Sequence, residues 1–166
     1  ELAENESLRE VADKIDFPVI PVLARMEFQG IQLDSGYLKQ FAAQIDDTIS
    51  DLQQEIYGYA NDEFNISSPA QLAGVLFDTL ELPTQGIKKG KTGYSTAASE
   101  LDKLRGLHPI IDLISQFREV TKLKNTYVDT LPEQTDGHGR IHTTFNLTIA
   151  QTGRLSSTEP NLQNIP

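Results

Sequence analysis

Hydroxyl and amide side chains crowd around a single arginine, Arg154, in residues 152–166, TGRLSSTEPNLQNIP. Arg, Asn and Gln are side chains that reach acceptors on base edges in a minor groove, and little in this stretch is apolar enough to bury. A polar surface loop is the plain alternative. A second candidate is the basic run at residues 86–92, GIKKGKT. A triphosphate-binding loop needs four residues between its glycines and a buried strand in front of it. Here three residues separate Gly86 from Gly90, and the preceding ELPT reads as a helix exit. A loop that meets a phosphate backbone fits better. Third, Arg118, Lys122 and Asn125 stand at i, i+4 and i+7, one face of a helix opposite its apolar stripe. A solvated face is the alternative for that trio.

Other reactive types do not assemble into a site. His108, His138 and His142 lack the spacing of a helical metal-binding pair. The pairs Asp46/Asp47 and Asp62/Glu63 read as solvated surface, and no Ser-His-Asp grouping emerges. The chain has no cysteine, which excludes a disulfide framework, a thiolate metal site and a cysteine nucleophile. No catalytic residue and no metal ligand is read in this span.

Charge sharpens the picture. The 166 residues carry a net charge of −10. Residues 1–84 hold −12, residues 85–127 hold +4 and residues 128–166 hold −2. Local charge decides where a polyanion docks, so the middle segment is the candidate. No apolar run approaches the roughly 18 residues of a membrane span, and no secretory signal is visible. The expectation is an intracellular protein with no membrane partner. Glu1 at one end, and Pro166 within a polar run at the other, read as cut ends of something longer.

The elements that must position these residues are mostly helical. Val19, Val22, Leu23 and Met26 follow helical spacing, with Pro21 expected near a helix start and Gly30 just past the end. Asp34 suits the N-cap of a long helix whose stripe is Leu38, Phe41, Ile45, Ile49, Leu52 and Ile56. Ser68, Pro69 and Gln71 predict a helix start with a capping box, leading to Leu72, Val75, Leu76 and Leu80. Residues 84–94 read as a loop. Ser95 or Thr96 is expected to cap a short helix carrying Leu101 and Leu104. A longer helix follows His108-Pro109, with Ile110, Leu113, Ile114, Phe117, Val120, Leu123 and Tyr127 inward. After a turn at residues 136–139, residues 140–147 alternate like a strand, with Ile141, Thr143, Phe145 and Leu147 on one face. A partner strand is expected around residues 153–156.

Residues 152–166 resemble the T-G-R-L-S-S-x-x-P-N-L-Q-N-I-P motif of family A DNA polymerases, the bacterial DNA polymerase I type. The resemblance runs through PVLARME at 21–27, GIQLD at 30–34, FNISS at 64–68, VLFD at 75–78, KTGYST at 91–96 and REVTKLK at 118–124. His108-Pro109, His142-Thr143 and Phe145-Asn146 extend it. It implies a mainly α fold, α+β overall: a helical thumb bundle with long antiparallel helices and a short β-hairpin from the start of the palm. Residues 1–30 would be the helix at the palm–thumb junction, 31–131 the thumb, and 132–166 the first palm strands with the minor-groove motif.

By the same resemblance the partner is primer–template duplex DNA. Asn65, Ser67, Ser68, Lys89, Lys91, Thr92, Ser95 and Thr96 would meet phosphates, though the family often carries Asn at the position of Ser67. Arg118, Lys122 and Lys124 would follow the strands. Arg154, Asn161, Gln163 and Asn164 would lie at the duplex end nearest the primer terminus. The catalytic aspartates, the two Mg2+ ions they hold and the dNTP site belong to the intact enzyme, beyond this span. A monomer in the nucleoid-associated cytoplasm is the expectation. A standalone DNA-binding module and an acidic helical protein-interaction domain are the rival readings.

Overall fold

The structure, a computed structural model, describes residues 5–91 and 93–165. Two compact units divide the chain: residues 1–39 with 127–166, and residues 40–126. Among the described residues the architecture is mainly helical with three short antiparallel strand pairs, the fold class that the sequence predicts.

The first unit opens on α1 (Glu6–Val11), a π-helical turn (Ala12–Asp16) and α2 (Phe17–Gln29). Pro18 occupies the first turn of α2, so Pro21 lies inside the helix and not at its start. Its φ is helical by construction, and the helix passes through at the loss of one N–H donor. Of the expected stripe only Leu23 is buried, while Val22 and Met26 are about half exposed. Gly30 ends α2 at φ 63, and a Cβ there would stand 2.7 Å from the Ile141 carbonyl oxygen and 2.8 Å from the His142 ring. Glycine is therefore required twice over, for the left-handed backbone and for the close approach.

That approach lets β1 (Ile31–Gln32) pair with β4 (Arg140–Ile141), Ile31 opposite Ile141. The strand expected over 140–147 is instead broken. Its second part, β5 (Thr144–Asn146), pairs with β6 (Ser156–Thr158), with Phe145 opposite Ser157. The partner strand therefore lies C-terminal to Gly153 and Arg154, where glycine at φ 74 suits a turn better than a ladder.

α3 (Ser35–Ala60) starts where expected, with Asp34 Oδ1 accepting from Tyr37 N at 2.9 Å. Within the second unit its Leu52 and Ile56 join the core. They pack in a cluster with Leu72 of α4 (Pro69–Ala73), Leu76 of the following π-helical turn, and Leu101 of α5 (Ala98–Leu101). Ile110, Ile111, Ile114 and Phe117 of α6 (Ile110–Leu123) complete it. Complete burial of such side chains contributes about 1.5–3 kcal/mol each, which makes this cluster the frame of the unit.

Two local readings change here. Residues 84–94 are not only loop: β2 (Lys89–Gly90) pairs with β3 (Gly93–Tyr94), and Ile87 is buried. Gly93 sits at φ 132, a backbone conformation that favours glycine. The N-cap of α5 is Ala97, without a side-chain cap, and not Ser95 or Thr96.

Candidate nucleic-acid interface

Basic and hydroxyl side chains of the second unit gather around the β2–β3 hairpin. Its base is tied down from several sides. Ser95 N donates to the Lys88 carbonyl at 2.8 Å, and Lys88 N donates to Glu100 Oε2 at 2.9 Å. Lys103 Nζ bridges Glu100 Oε2 at 2.7 Å and the Gly86 carbonyl at 2.9 Å. The Lys103 ammonium, then the Lys88 amide, hold the Glu100 carboxyl below the usual range. The Tyr94 ring packs against Phe77, and Lys89 Nζ sits 4.9 Å over its centroid. Lys89 and Lys91 thus ride exposed on an anchored loop. Thr92 lies outside the described residues.

One concavity is lined by Pro69, Gly90, Gly93, Tyr94, Ser95, Thr96, Ala97 and Arg118. The structure therefore brings Ser95, Thr96 and Arg118 together from distant parts of the sequence. Thr96 is buried, and its carbonyl and hydroxyl both accept from the Arg118 guanidinium. Those two bonds involve two of the five N–H donors of arginine and leave three. Half-burial pulls the Arg118 pKa below its ordinary value, a cost that an anion in the concavity would offset. Arg118 thus holds the hairpin base as well as facing the concavity.

Asn65 and Ser67 line a separate groove with Gln53, Tyr57 and Phe64. Asn65 Oδ1 accepts from Ser67 N at 3.0 Å, and Asn65 N donates to Gln71 Oε1 at 2.7 Å. Ser68 caps α4 as expected, but at a long 3.5 Å to Gln71 N. The capping box is not closed, because Gln71 reaches Asn65 and not Ser68. Lys122 is exposed on the last turn of α6. The α-helix ends at Leu123 and a π-helical turn (Lys124–Val128) follows, so Asn125 does not continue the expected row at helical spacing. Lys124 is 19% exposed at its side chain and pairs with Asp46 at 3.5 Å.

In the first unit the polar loop residues lie on either side of β6, at 154–155 and 159–164. Arg154, Asn161, Gln163 and Asn164 are all exposed. Asn161 Oδ1 accepts from Gln163 N at 3.1 Å, and Gln163 Nε2 donates to the Leu155 carbonyl at 3.0 Å. The Tyr127 hydroxyl donates to the Asn164 carbonyl at 2.6 Å. These side-chain-to-backbone bonds, one of them from Tyr127, help to hold the loop that carries these side chains.

Sequence reasoning missed further residues that brace this part of the unit. Thr143 and Ser157 are buried polar residues beneath the loop. Glu27 and His142 were equally silent: Phe145 N donates to Glu27 Oε1 at 2.6 Å, and His142 Nδ1 stands 2.7 Å from the Glu27 carbonyl. The one available signal was a threonine on the inward face of an alternating run.

Among the described residues, no group of three or more His, Asp or Glu side chains is placed to hold a metal ion. These described residues do not assemble the acidic cluster of a two-magnesium site. No described helix is long and apolar enough to cross a membrane.

Comparison with known proteins gives a consistent answer. The sequence profile of DNA polymerase family A matches residues 35–166. DNA polymerase I of Synechocystis sp. is 47% identical over 100% of this chain and 17% of its own length. The thermostable DNA polymerase I of Thermus thermophilus is 47% identical over 99% of this chain and 20% of its own, and that of Geobacillus stearothermophilus 45% over 100% and 19%. The chain thus spans 17–20% of the length of these relatives. The POL domain of Pol1 from M. smegmatis, in complex with DNA primer-template and dNTP, superposes with a TM-score of 0.82 at 47% identity. It covers 99% of this chain and 29% of that one.

Proposed function

Because this chain belongs to DNA polymerase family A, we propose that it is the duplex-gripping part of a DNA-directed DNA polymerase of the DNA polymerase I kind, a nucleotidyltransferase of DNA replication and repair. The observation that carries this reading is its likeness, across 99% of its length, to a polymerase domain holding primer-template. Exposed Lys89 and Lys91, with Thr92, Ser95 and the free donors of Arg118, meet the phosphate backbone. Asn65, Ser67, Ser68, Thr96, Lys122 and Lys124 complete the phosphate-facing set, with Thr96 acting through Arg118. Arg154, Asn161, Gln163 and Asn164 meet the minor groove.

A polymerase must hold every sequence alike, which suits backbone contacts and the degenerate acceptors of the minor groove. Mg2+ and dNTP are bound by other parts of the intact enzyme, a monomer working at the chromosome in the cytoplasm. No catalytic step is assigned to the residues of this chain.

The test is a titration of primer–template duplex with this chain across a salt series. Binding should weaken steeply with salt, and each lost phosphate contact should reduce the log–log slope by about 0.9. Lys89→Ala combined with Lys91→Ala should flatten the slope without creating a sequence preference. An unchanged slope would remove the hairpin from the interface.

A further inference from the structure

Thr143 and Ser157 are 5% and 1% exposed, among the few polar side chains of the chain that are buried. Their hydroxyl oxygens lie 2.7 Å apart. Thr143 Oγ1 is also 2.7 Å from the Pro160 carbonyl and 3.0 Å from that of Thr158. Ser157 Oγ is 3.2 Å from the Pro160 carbonyl and accepts from Leu162 N at 3.1 Å.

Each hydroxyl has one proton to give. One proton closes the Thr143–Ser157 contact, and in either direction the other is within reach of the Pro160 carbonyl, the nearer of the two carbonyls to Thr143. The pair therefore grips the backbone on both sides of Asn161, at the carbonyl of residue 160 and the N–H of residue 162. It does so just after Glu159, which sits at φ 54, a left-handed conformation that residues other than glycine seldom adopt. An apolar pair would pack in the same space without desolvating two hydroxyls, but it would remove the contacts to the backbone of residues 158, 160 and 162.

We propose that the buried Thr143–Ser157 hydroxyl pair is a positioning element that sets the path of residues 158–164, so that Asn161 and Gln163 face the duplex minor groove in register with Arg154. This rests on the duplex-gripping function proposed above and names the device that makes it geometrically defined. Neither residue touches DNA in this proposal; both act through the loop backbone.

The test takes as its parent the Arg154→Ala form of the 166-residue chain, so that the readout comes from Asn161 and Gln163. It is titrated with primer–template duplexes that carry either guanine or 3-deazaguanine at one of the last three primer positions. The analogue lacks the minor-groove acceptor N3. The parent chain should bind the natural duplex about 5–100-fold more tightly than the analogue, the range of one base contact. Ser157→Ala and Thr143→Val should each abolish that ratio while leaving the salt slope, which reports phosphate contacts, unchanged. Thr143→Ser keeps the hydroxyl and should restore it.

Should the Ala and Val variants lose their cooperative melt, Ser157→Cys decides, because it keeps the shape and weakens the hydrogen bonds. A folded variant that melts at lower temperature yet keeps the full analogue ratio overturns the inference and makes the pair merely structural. A parent chain that binds duplex with no analogue ratio overturns the minor-groove reading, and this inference with it.

Discussion

Arg154 stands exposed on its loop, and among the described residues its guanidinium has no hydrogen-bond or ion-pair partner; Glu159 does not pair with it. Every base pair offers a minor-groove acceptor, N3 of a purine or O2 of a pyrimidine. A guanidinium there senses pair geometry without reading sequence. Arg154→Ala should cost about 1–3 kcal/mol of duplex affinity, measured by anisotropy at fixed salt. Arg154→Lys should not restore it, because an ammonium lacks the planar fork of donors. Combining Arg154→Ala with a primer-terminal 3-deazapurine should add almost nothing to either change alone, whereas fully additive losses would show that the arginine bonds something else.

Between single residues and whole units stands the junction of α2 with β4. Arg140 donates to the carbonyls of Gln29 and Gly30 and to Gln32 Oε1, and His142 bridges the Glu27 carbonyl and Asp136 Oδ2. Both ring nitrogens of His142 thus face acceptors, an arrangement that only the imidazolium satisfies fully. Its pKa is accordingly raised above 6.5, first by the Glu27 carbonyl and then by Asp136. Asp136 is held at about 2, first by the Arg140 amide and then by His142.

The signs are opposite for the two groups. The contribution of His142 is complete below about pH 6.5 and is lost as pH rises through its raised pKa. That of Asp136 is complete above 3.8 and is lost as pH falls toward 2. Thermal melts across pH should therefore show this junction firmest between those limits. His142→Gln should remove the alkaline decline, and Asp136→Asn the acid one. A His142→Gln profile with an unaltered alkaline limb would place that titration elsewhere. Gly30→Ala should destabilise the junction at every pH, because the added Cβ meets backbone and ring at 2.7–2.9 Å.

For the molecule as a whole, the proposed function draws on two kinds of part. A cored helical unit carries the basic hairpin, and a strand-paired unit carries the polar motif. Ile114 lies fully buried in the core cluster, and Ile114→Ala should cost about 2–5 kcal/mol in a denaturant melt. A cost below 1 kcal/mol would mean that the core is not what frames the hairpin. Because the proposed function leaves Mg2+ and dNTP to other parts of the intact enzyme, the chain alone should give no template-directed nucleotide incorporation with magnesium present. Primer extension by rigorously purified chain would refute this.

Legible in the sequence were the features set by neighbours along the chain. Asp34 and Ser68 as caps, the stripe from Ile45 to Ile56 and the α6 stripe from Ile110 to Val120 depend on local periodicity, and each is found where expected, whereas Tyr127 falls in the π-helical turn beyond α6. The motif at 152–166 was readable because its letters are specific. Other features needed the folded chain. That the 140–147 strand breaks, that Arg118 binds Thr96, and that Gln71 turns to Asn65 are decided by partners between 6 and 22 residues away or by competing ladders. Thr143 and Ser157 looked like ordinary hydroxyls 14 residues apart. A hydroxyl declares its role only when burial removes water and leaves it one set of partners, and burial is a property of the tertiary structure.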